Sequence, residues 1–255
     1  MSAGHASGSR AASRKGPSSY PGGKSGAGVY QRLINEIPPH DMLIVPFAGR
    51  CGVTRRIRPA EHTILIDRDE NVLQWWDEWQ RTPEGRAVEL HHCDGIEWMR
   101  YHFGLTRLPG AVAETSDRIR EFVFCDPPYV MSSRSSGKIY DWEMSDDDHG
   151  RLLEVATRIT EVEYSDVMIC GYRSQIYQRL ERWRIMRHRV MTRGGLRDEL
   201  VWMNYDTPST LHDHRFIGQD KRERERIRRR QRTVLKMLDG MSDRERDAML
   251  EAINN

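Results

Sequence analysis

Short apolar runs alternate with longer amphipathic segments along most of the chain. The runs lie at Met42–Val45, Thr63–Ile66, Ala87–Leu90, Phe122–Cys125, Val167–Cys170, Ile185–Val190 and Leu200–Met203. Segments with helical spacing lie between most of them, as at Asn71–Gln80, Asp146–Val162 and Gln175–Trp183. This alternation predicts a mainly parallel sheet with helices on both faces.

The last two apolar runs are separated by only nine residues, which include Gly194 and Gly195. So short a connection leaves no room for a helical crossover, so these two strands are expected to pair as an antiparallel hairpin. The predicted fold is α/β, with a seven-stranded, mostly parallel sheet that ends in this hairpin.

The ends of the chain differ from its middle. Residues 1–19 are rich in Ser, Ala and Gly without periodicity, which is typical of a disordered leader. Residues 20–210 hold the alternating pattern and form the predicted domain. Residues 211–255 are predicted to form a charged helical extension, with a helix over residues 219–239 and a shorter one starting near Ser242.

Composition excludes several classes of protein. No apolar run approaches the roughly 18–20 residues of a membrane span, and the N-terminus has no apolar signal segment. The four cysteines lie more than 30 residues apart, which supports neither a zinc site nor a disulfide framework. The sequence therefore predicts a cytoplasmic protein without a metal site and without a membrane partner.

The net charge of +2 conceals a strongly basic segment. Residues 221–232 contain eight basic and two acidic side chains. Such a run favours a phosphate-backbone partner, but it is equally typical of an exposed helix with internal salt bridges.

Candidate ligand-binding residues follow the first three strands. A glycine turn, Pro46–Gly52, comes after the first strand, and Asp67 and Asp94 follow the next two. Ligands of open parallel sheets bind outside the carboxyl ends of the strands, where a carboxylate can hold a ribose. A single Asp at a strand end can equally be a helix N-cap.

The fourth strand leads directly into Asp126-Pro127-Pro128-Tyr129. Two prolines stiffen the turn and remove two backbone donors, so the carbonyls and the Asp carboxylate remain acceptors. An acceptor-rich corner beside an aromatic face suits an exocyclic amino group on a planar base, which it would orient through both N–H groups.

These motifs resemble the Dam-like (D12 class) DNA adenine-N6 methyltransferases of phage and prophage type. The Asp-Pro-Pro-Tyr motif is similar to that family's catalytic motif, and Tyr20-Pro21-Gly22-Gly23-Lys24 to its N-terminal cofactor motif. The Pro46-Phe47-Ala48-Gly49 turn resembles its glycine motif. The resemblance covers roughly residues 20–205 and implies a Rossmann-like methyltransferase fold with S-adenosylmethionine as cofactor.

The resemblance also implies roles for individual residues. Tyr20, Gly23 and Lys24 would contact the cofactor and its carboxylate, and Pro46, Phe47 and Gly49 its methionine side. Asp67 would hold the ribose and Asp94 the adenine of the cofactor. The target base would be held by Asp126, Pro127, Pro128 and Tyr129.

Double-stranded DNA is the partner implied by this family. No large insertion separates Asp94 from Asp126, so the target-recognition domain of larger members is missing. DNA contacts are therefore expected from the loop after the fourth strand, through Arg134 and Lys138, and from Arg228, Arg229 and Arg230.

Two departures from the family pattern leave alternatives open. Val45 stands where an acidic residue is usual, and Cys51 where a second glycine is common. One alternative is a catalytically impaired DNA-binding protein with the same fold. Another is cytosine N4 as the target, because Asp-Pro-Pro-Tyr occurs with either base.

Overall fold

The computed structural model describes residues 22–26, 28–105, 119–134, 137–162, 165–192 and 195–254. The predicted leader and Tyr20 lie outside these ranges. Within them the chain forms strands β1 (Met42–Val45), β2 (His62–Asp67), β3 (Glu89–His92), β4 (Glu121–Cys125), β5 (Ser165–Gly171), β6 (Arg184–Thr192) and β7 (Gly195–Met203).

The strands join in one sheet in the order β3-β2-β1-β4-β5-β7-β6. The first five strands pair in parallel, whereas β7 pairs antiparallel with both β5 and β6. The predicted Rossmann-like methyltransferase fold, with its terminal antiparallel hairpin, is confirmed.

Helices cover both faces of the sheet. They are α1 (Val29–Ile34), α2 (Glu70–Gln80), α3 (Gly95–His102), α4 (Asp146–Val162), α5 (Lys221–Asp239) and α6 (Asp243–Asn254). Alternate residues of β4 enter different cores: Val123 packs with α3 and α4 side chains, and Phe122 with those of α1 and α2. Because both faces are buried, the central strands are continuously apolar, which is why their positions could be predicted.

Several predicted elements differ from the observed ones in type or bounds: β7, for example, starts at Gly195, five residues before the apolar run that predicted it. Instead of a helix over Gln175–Trp183 there is a short 3-10 turn, Ile176–Leu180, whose anchors Tyr177 and Leu180 are buried. Their spacing of three residues matches the 3-10 repeat. The third strand begins two residues later than predicted, because its ladder with Ile64–Asp67 fixes its register and the Gln80 side chain binds the Val88 amide.

The first charged C-terminal helix, α5, begins at Lys221, two residues after its predicted start, and the segment before it packs on the domain. The His212 amide donates to the Ile37 carbonyl, and the Asn35 side chain donates to the Gly218 carbonyl. In contrast, Leu235 of α5 and Leu250 of α6 are about half exposed. Among the described residues, none of the helices is both long and apolar enough to cross a membrane.

Buried histidines predict loss of stability in acid. Burial lowers the pKa of His40 to about 3 and the pKa values of His149 and His188 to about 4. A group with a lowered pKa in the folded state stabilises the fold above its unfolded pKa, here about 6.5, and loses that contribution as the pH falls. Raised carboxyl pKa values at Asp126 and Glu199 act in the opposite direction.

A single-site comparison isolates one histidine. Between pH 6 and 4.5 the wild type is expected to lose unfolding free energy relative to His149→Asn at up to about 1.4 kcal/mol per pH unit. Urea denaturation at several pH values measures this slope, and His92→Asn, at an exposed position, is the control. Parallel pH curves for the wild type and His149→Asn would contradict the prediction.

Candidate active site

The Asp126–Tyr129 turn, here called the acceptor corner, follows directly after β4. The Tyr129 hydroxyl donates to Asp126 Oδ1 at 3.2 Å, and the Tyr129 ring makes an edge contact with Tyr172, centroids 4.7 Å apart. Pro127 is buried in the turn. The corner is therefore rigid, with a carboxylate and an aromatic ring held side by side.

Lys24 reaches into the acceptor corner. Its Nζ donates to Asp126 Oδ1 and to the Tyr129 hydroxyl, each at 2.6 Å. The residue is 7% exposed and has a φ of 49°, an uncommon conformation for a residue with a side chain. The resemblance implies a contact with the cofactor carboxylate, whereas in this structure the ammonium occupies acceptors that a target amino group would need.

Glu199 is a third ionisable group at this point, and the sequence analysis missed it. It lies on β7, is 2% exposed, and places Oε1 at 3.0 Å from Lys24 Nζ. Since β7 runs antiparallel to β5, its early residues lie at the carboxyl edge of the parallel strands. An acidic residue directly before the buried run Leu200–Met203 was the available signal.

The electrostatics of this cluster follow from two carboxylates sharing one ammonium. Burial would lower the pKa of Lys24, but Asp126 and Glu199 outweigh it and raise this pKa well above its usual value. Burial raises the pKa values of Asp126 and Glu199, and Lys24 offsets only part of that rise. Lys24 therefore stays charged, and the carboxylate pair binds a proton more readily than ordinary carboxyl groups.

The acceptor corner opens into a cleft that also contains the glycine turn after β1. Asp126 and Pro128 line this cleft, and so do Phe47, Gly49 and Asp67. A Cβ at Gly95 would overlap the Pro46 carbonyl oxygen, so glycine is required where α3 starts against this turn.

Asp67 is held by the glycine turn itself. Its Oδ2 accepts the Gly49 amide at 2.8 Å, and its Oδ1 accepts the Asp69 amide at 2.9 Å. Each carboxylate oxygen keeps acceptor capacity toward the cleft, because an oxygen has two lone pairs. This geometry fits a group that binds neighbouring hydroxyls.

Asp94 is the N-cap of α3, the structural role that was the alternative to ligand binding. Its Oδ1 caps α3 by accepting the Ile96 and Glu97 amides at 2.7 and 3.1 Å, and its Oδ2 pairs with Arg68. Asp94 also lines the cleft, as do Tyr140 and Trp142 from the loop before α4, which the sequence analysis did not select.

The two departures from the family pattern lie in different places. Val45 is fully buried in the core behind the glycine turn and does not itself line the cleft. Cys51 is 3% exposed and lines the cleft, and burial raises the pKa of its thiol.

The predicted DNA contacts separate into two groups. Arg134 donates to both carboxylate oxygens of Glu143, at 3.0 and 2.7 Å, and its side chain is only 4% exposed. The ion pair closes the loop after β4 and leaves Arg134 little surface for a phosphate. Lys138 is exposed, and so are Arg228, Arg229 and Arg230 on α5. Within the described ranges these three arginines form no ion pair.

No family model matches the sequence, and no curated protein matches it. Among solved structures, the fold is similar to TrmN from Thermus thermophilus (13% identity, 69% of this chain, 48% of that chain, TM-score 0.44). It is also similar to magnesium protoporphyrin IX methyltransferase from Synechocystis with bound SAM (8% identity, 70% of this chain, 76% of that chain, TM-score 0.41). A third similar structure is an rRNA methylase from Streptococcus thermophilus (12% identity, 68% of this chain, 92% of that chain, TM-score 0.40). Likeness at this level does not assign a substrate, so the function proposed below depends on the residues of this chain.

Proposed function

We propose that this protein transfers a methyl group from S-adenosylmethionine to the N6 amino group of adenine in DNA. The observation that carries the proposal is that the acceptor corner and the glycine-lined cleft share one cavity. An amino group at Asp126 and a donor group beside Phe47 and Gly49 would meet inside that cavity.

The cleft suits the proposed cofactor in its chemistry. Asp67 would hold the ribose hydroxyls, Ile96 and Trp142 offer apolar surface to an adenine, and the glycine turn allows close backbone approach. When bound, S-adenosylmethionine supplies a methyl group activated by its sulfonium.

Residues of the acceptor corner would do the remaining work. The target base would leave the duplex and stack on Tyr129, while Asp126 and the Pro127 carbonyl accept its amino hydrogens. These bonds localise the nitrogen lone pair and aim it into the cleft. Asp126 can also take the proton that the methylated nitrogen loses, since burial raises its pKa.

The Lys24 ammonium must withdraw from Asp126 before a target amino group can bind there. A second, specific alternative is therefore a DNA-binding protein in which this ion pair stays closed and no transfer occurs. The distance of 2.6 Å between Lys24 Nζ and Asp126 Oδ1 is the observation that favours this alternative.

One experiment separates these candidates. The purified protein is incubated with tritiated S-adenosylmethionine and unmethylated DNA, and the modified bases are then identified by sequencing. N6-methyladenine supports the proposal, and N4-methylcytosine would move the target to cytosine. Cofactor binding without transfer, measured by calorimetry, would favour the impaired binding protein, and no cofactor binding would refute the methyltransferase.

Exposed arginines on α5 are proposed to contact DNA phosphates. Replacing Arg228, Arg229 and Arg230 together by Gln should weaken DNA binding and reduce the slope of log Kd against log salt by about 2–3. Fluorescence anisotropy at several salt concentrations measures the slope. Arg226→Gln is the control, because Arg226 is paired with Glu223 at 3.0 Å. An unchanged slope in the triple variant would exclude α5 from the DNA interface.

A further inference from the structure

Glu199 has no role in the chemistry described so far, yet it is among the most buried charged groups of the described chain. It is 2% exposed and faces the Lys24 ammonium at 3.0 Å. Its other oxygen, Oε2, lies 2.8 Å from His188 Nε2, although the ring is not oriented for a hydrogen bond. Burying a carboxylate is costly in free energy unless an opposite charge is paired with it.

His188 does not supply the positive charge that balances Glu199. Burial lowers the pKa of His188 to about 4, with the nearby Lys24 and Arg32 adding to the effect, so the ring is neutral near pH 7. Lys24 is therefore the cationic partner of Glu199, and it is shared with Asp126, whose Oδ1 lies at 2.6 Å from Nζ.

The requirement for Glu199 follows from what Lys24 must do. If a target amino group is to use Asp126, the ammonium must give up its shorter ion pair while remaining buried. An ammonium left without a partner in such a place is strongly disfavoured. Glu199 offers a carboxylate that Lys24 already touches, so the ammonium can leave Asp126 and remain paired.

We infer that Glu199 is a positioning residue for the methyl acceptor: it holds the Lys24 ammonium when the target amino group occupies Asp126. The inference rests on the proposed function and adds a residue and a competition step to it. In the resting protein Lys24 competes with the target for Asp126. The fraction of molecules with an available corner depends on how well Glu199 holds Lys24.

Removing the Glu199 charge should therefore affect target affinity more than the chemical step. In Glu199→Gln, Lys24 has Asp126 as its one carboxylate and competes more strongly. The apparent affinity for the target falls with the available fraction, so the KM for DNA should rise about tenfold or more. The kcat at saturating DNA and the Kd for S-adenosylmethionine should stay within about threefold, and Glu199→Asp should restore much of the KM.

The control is Glu36→Gln, because Glu36 forms a half-buried ion pair with Arg184 at 2.6 Å away from the corner. Its KM should equal that of the wild type. A merely structural role for Glu199 predicts a lower melting temperature with an unchanged KM, and that result would overturn the inference. So would a fall in kcat without a change in KM.

A double variant keeps the test decisive if Glu199→Gln folds poorly. Lys24→Met/Glu199→Gln lacks both the competing ammonium and its partner. At saturating cofactor its KM for DNA should therefore be lower than that of Glu199→Gln and no higher than that of the wild type. A KM as high as in the single variant, or above the wild-type value where the single variant cannot be measured, would overturn the inference. Absence of transfer by the wild type would refute the proposed function instead, and this inference with it.

Discussion

Asp126→Ala is expected to lower the rate of methyl transfer by about 10³-fold or more while leaving the Kd for S-adenosylmethionine within about threefold. The variant removes the carboxylate that orients the amino group and accepts its proton. It does not alter Asp67 or the glycine turn, where the cofactor is proposed to bind. Single-turnover transfer of a tritiated methyl group to unmethylated DNA measures the rate, and calorimetry measures the Kd.

The fold should tolerate this change. Without Asp126, Lys24 keeps Glu199 at 3.0 Å, so one ammonium then faces one carboxylate instead of two. The melting temperature should be equal to or higher than that of the wild type. Asp198→Ala is the matched control, since Asp198 is exposed and adjacent to Glu199 on β7. Transfer at the wild-type rate by Asp126→Ala would remove Asp126 from the mechanism.

The parts of the site that could be predicted are those encoded by neighbouring residues. The acceptor corner is continuous in sequence, and its two prolines fix the turn whatever surrounds it. The glycine turn likewise follows a strand that its apolar run identifies. The antiparallel pairing of β6 and β7 follows from their short connection, whereas the order of the strands in the sheet was not predicted.

What could not be predicted depends on contacts between distant segments. Lys24 and Asp126 are 102 residues apart, and no local pattern indicates that their side chains meet. Glu199 joins them because β7 reverses direction beside β5. The DNA contact predicted for Arg134 also depends on a contact that the sequence does not indicate. Glu143, nine residues later, forms an ion pair with the guanidinium, which is buried.

The ambiguity of an Asp at a strand end is resolved by counting its acceptor bonds. Asp94 caps α3 with Oδ1 and pairs with Arg68 through Oδ2, so its carboxylate is committed within the protein. Asp67 accepts one backbone amide on each oxygen, from Gly49 of the glycine turn and from Asp69, and so keeps a free lone pair on each. The two residues are equivalent in sequence position, yet they differ in what they can offer to a ligand.

Asp67→Ala is therefore expected to raise the Kd for S-adenosylmethionine by about 10²-fold or more. Two effects combine: hydrogen bonds from hydroxyls to a carboxylate contribute about 1.5–3 kcal/mol, and the Gly49 amide loses the acceptor that fixes the turn. At saturating cofactor the kcat should recover to within a few-fold, because Asp67 does not touch the acceptor corner. Asp77→Ala, on the exposed side of α2, is the control. A Kd like that of the wild type would place the ribose elsewhere, whereas a loss of kcat at saturation would mean that the glycine turn positions the acceptor as well as the cofactor.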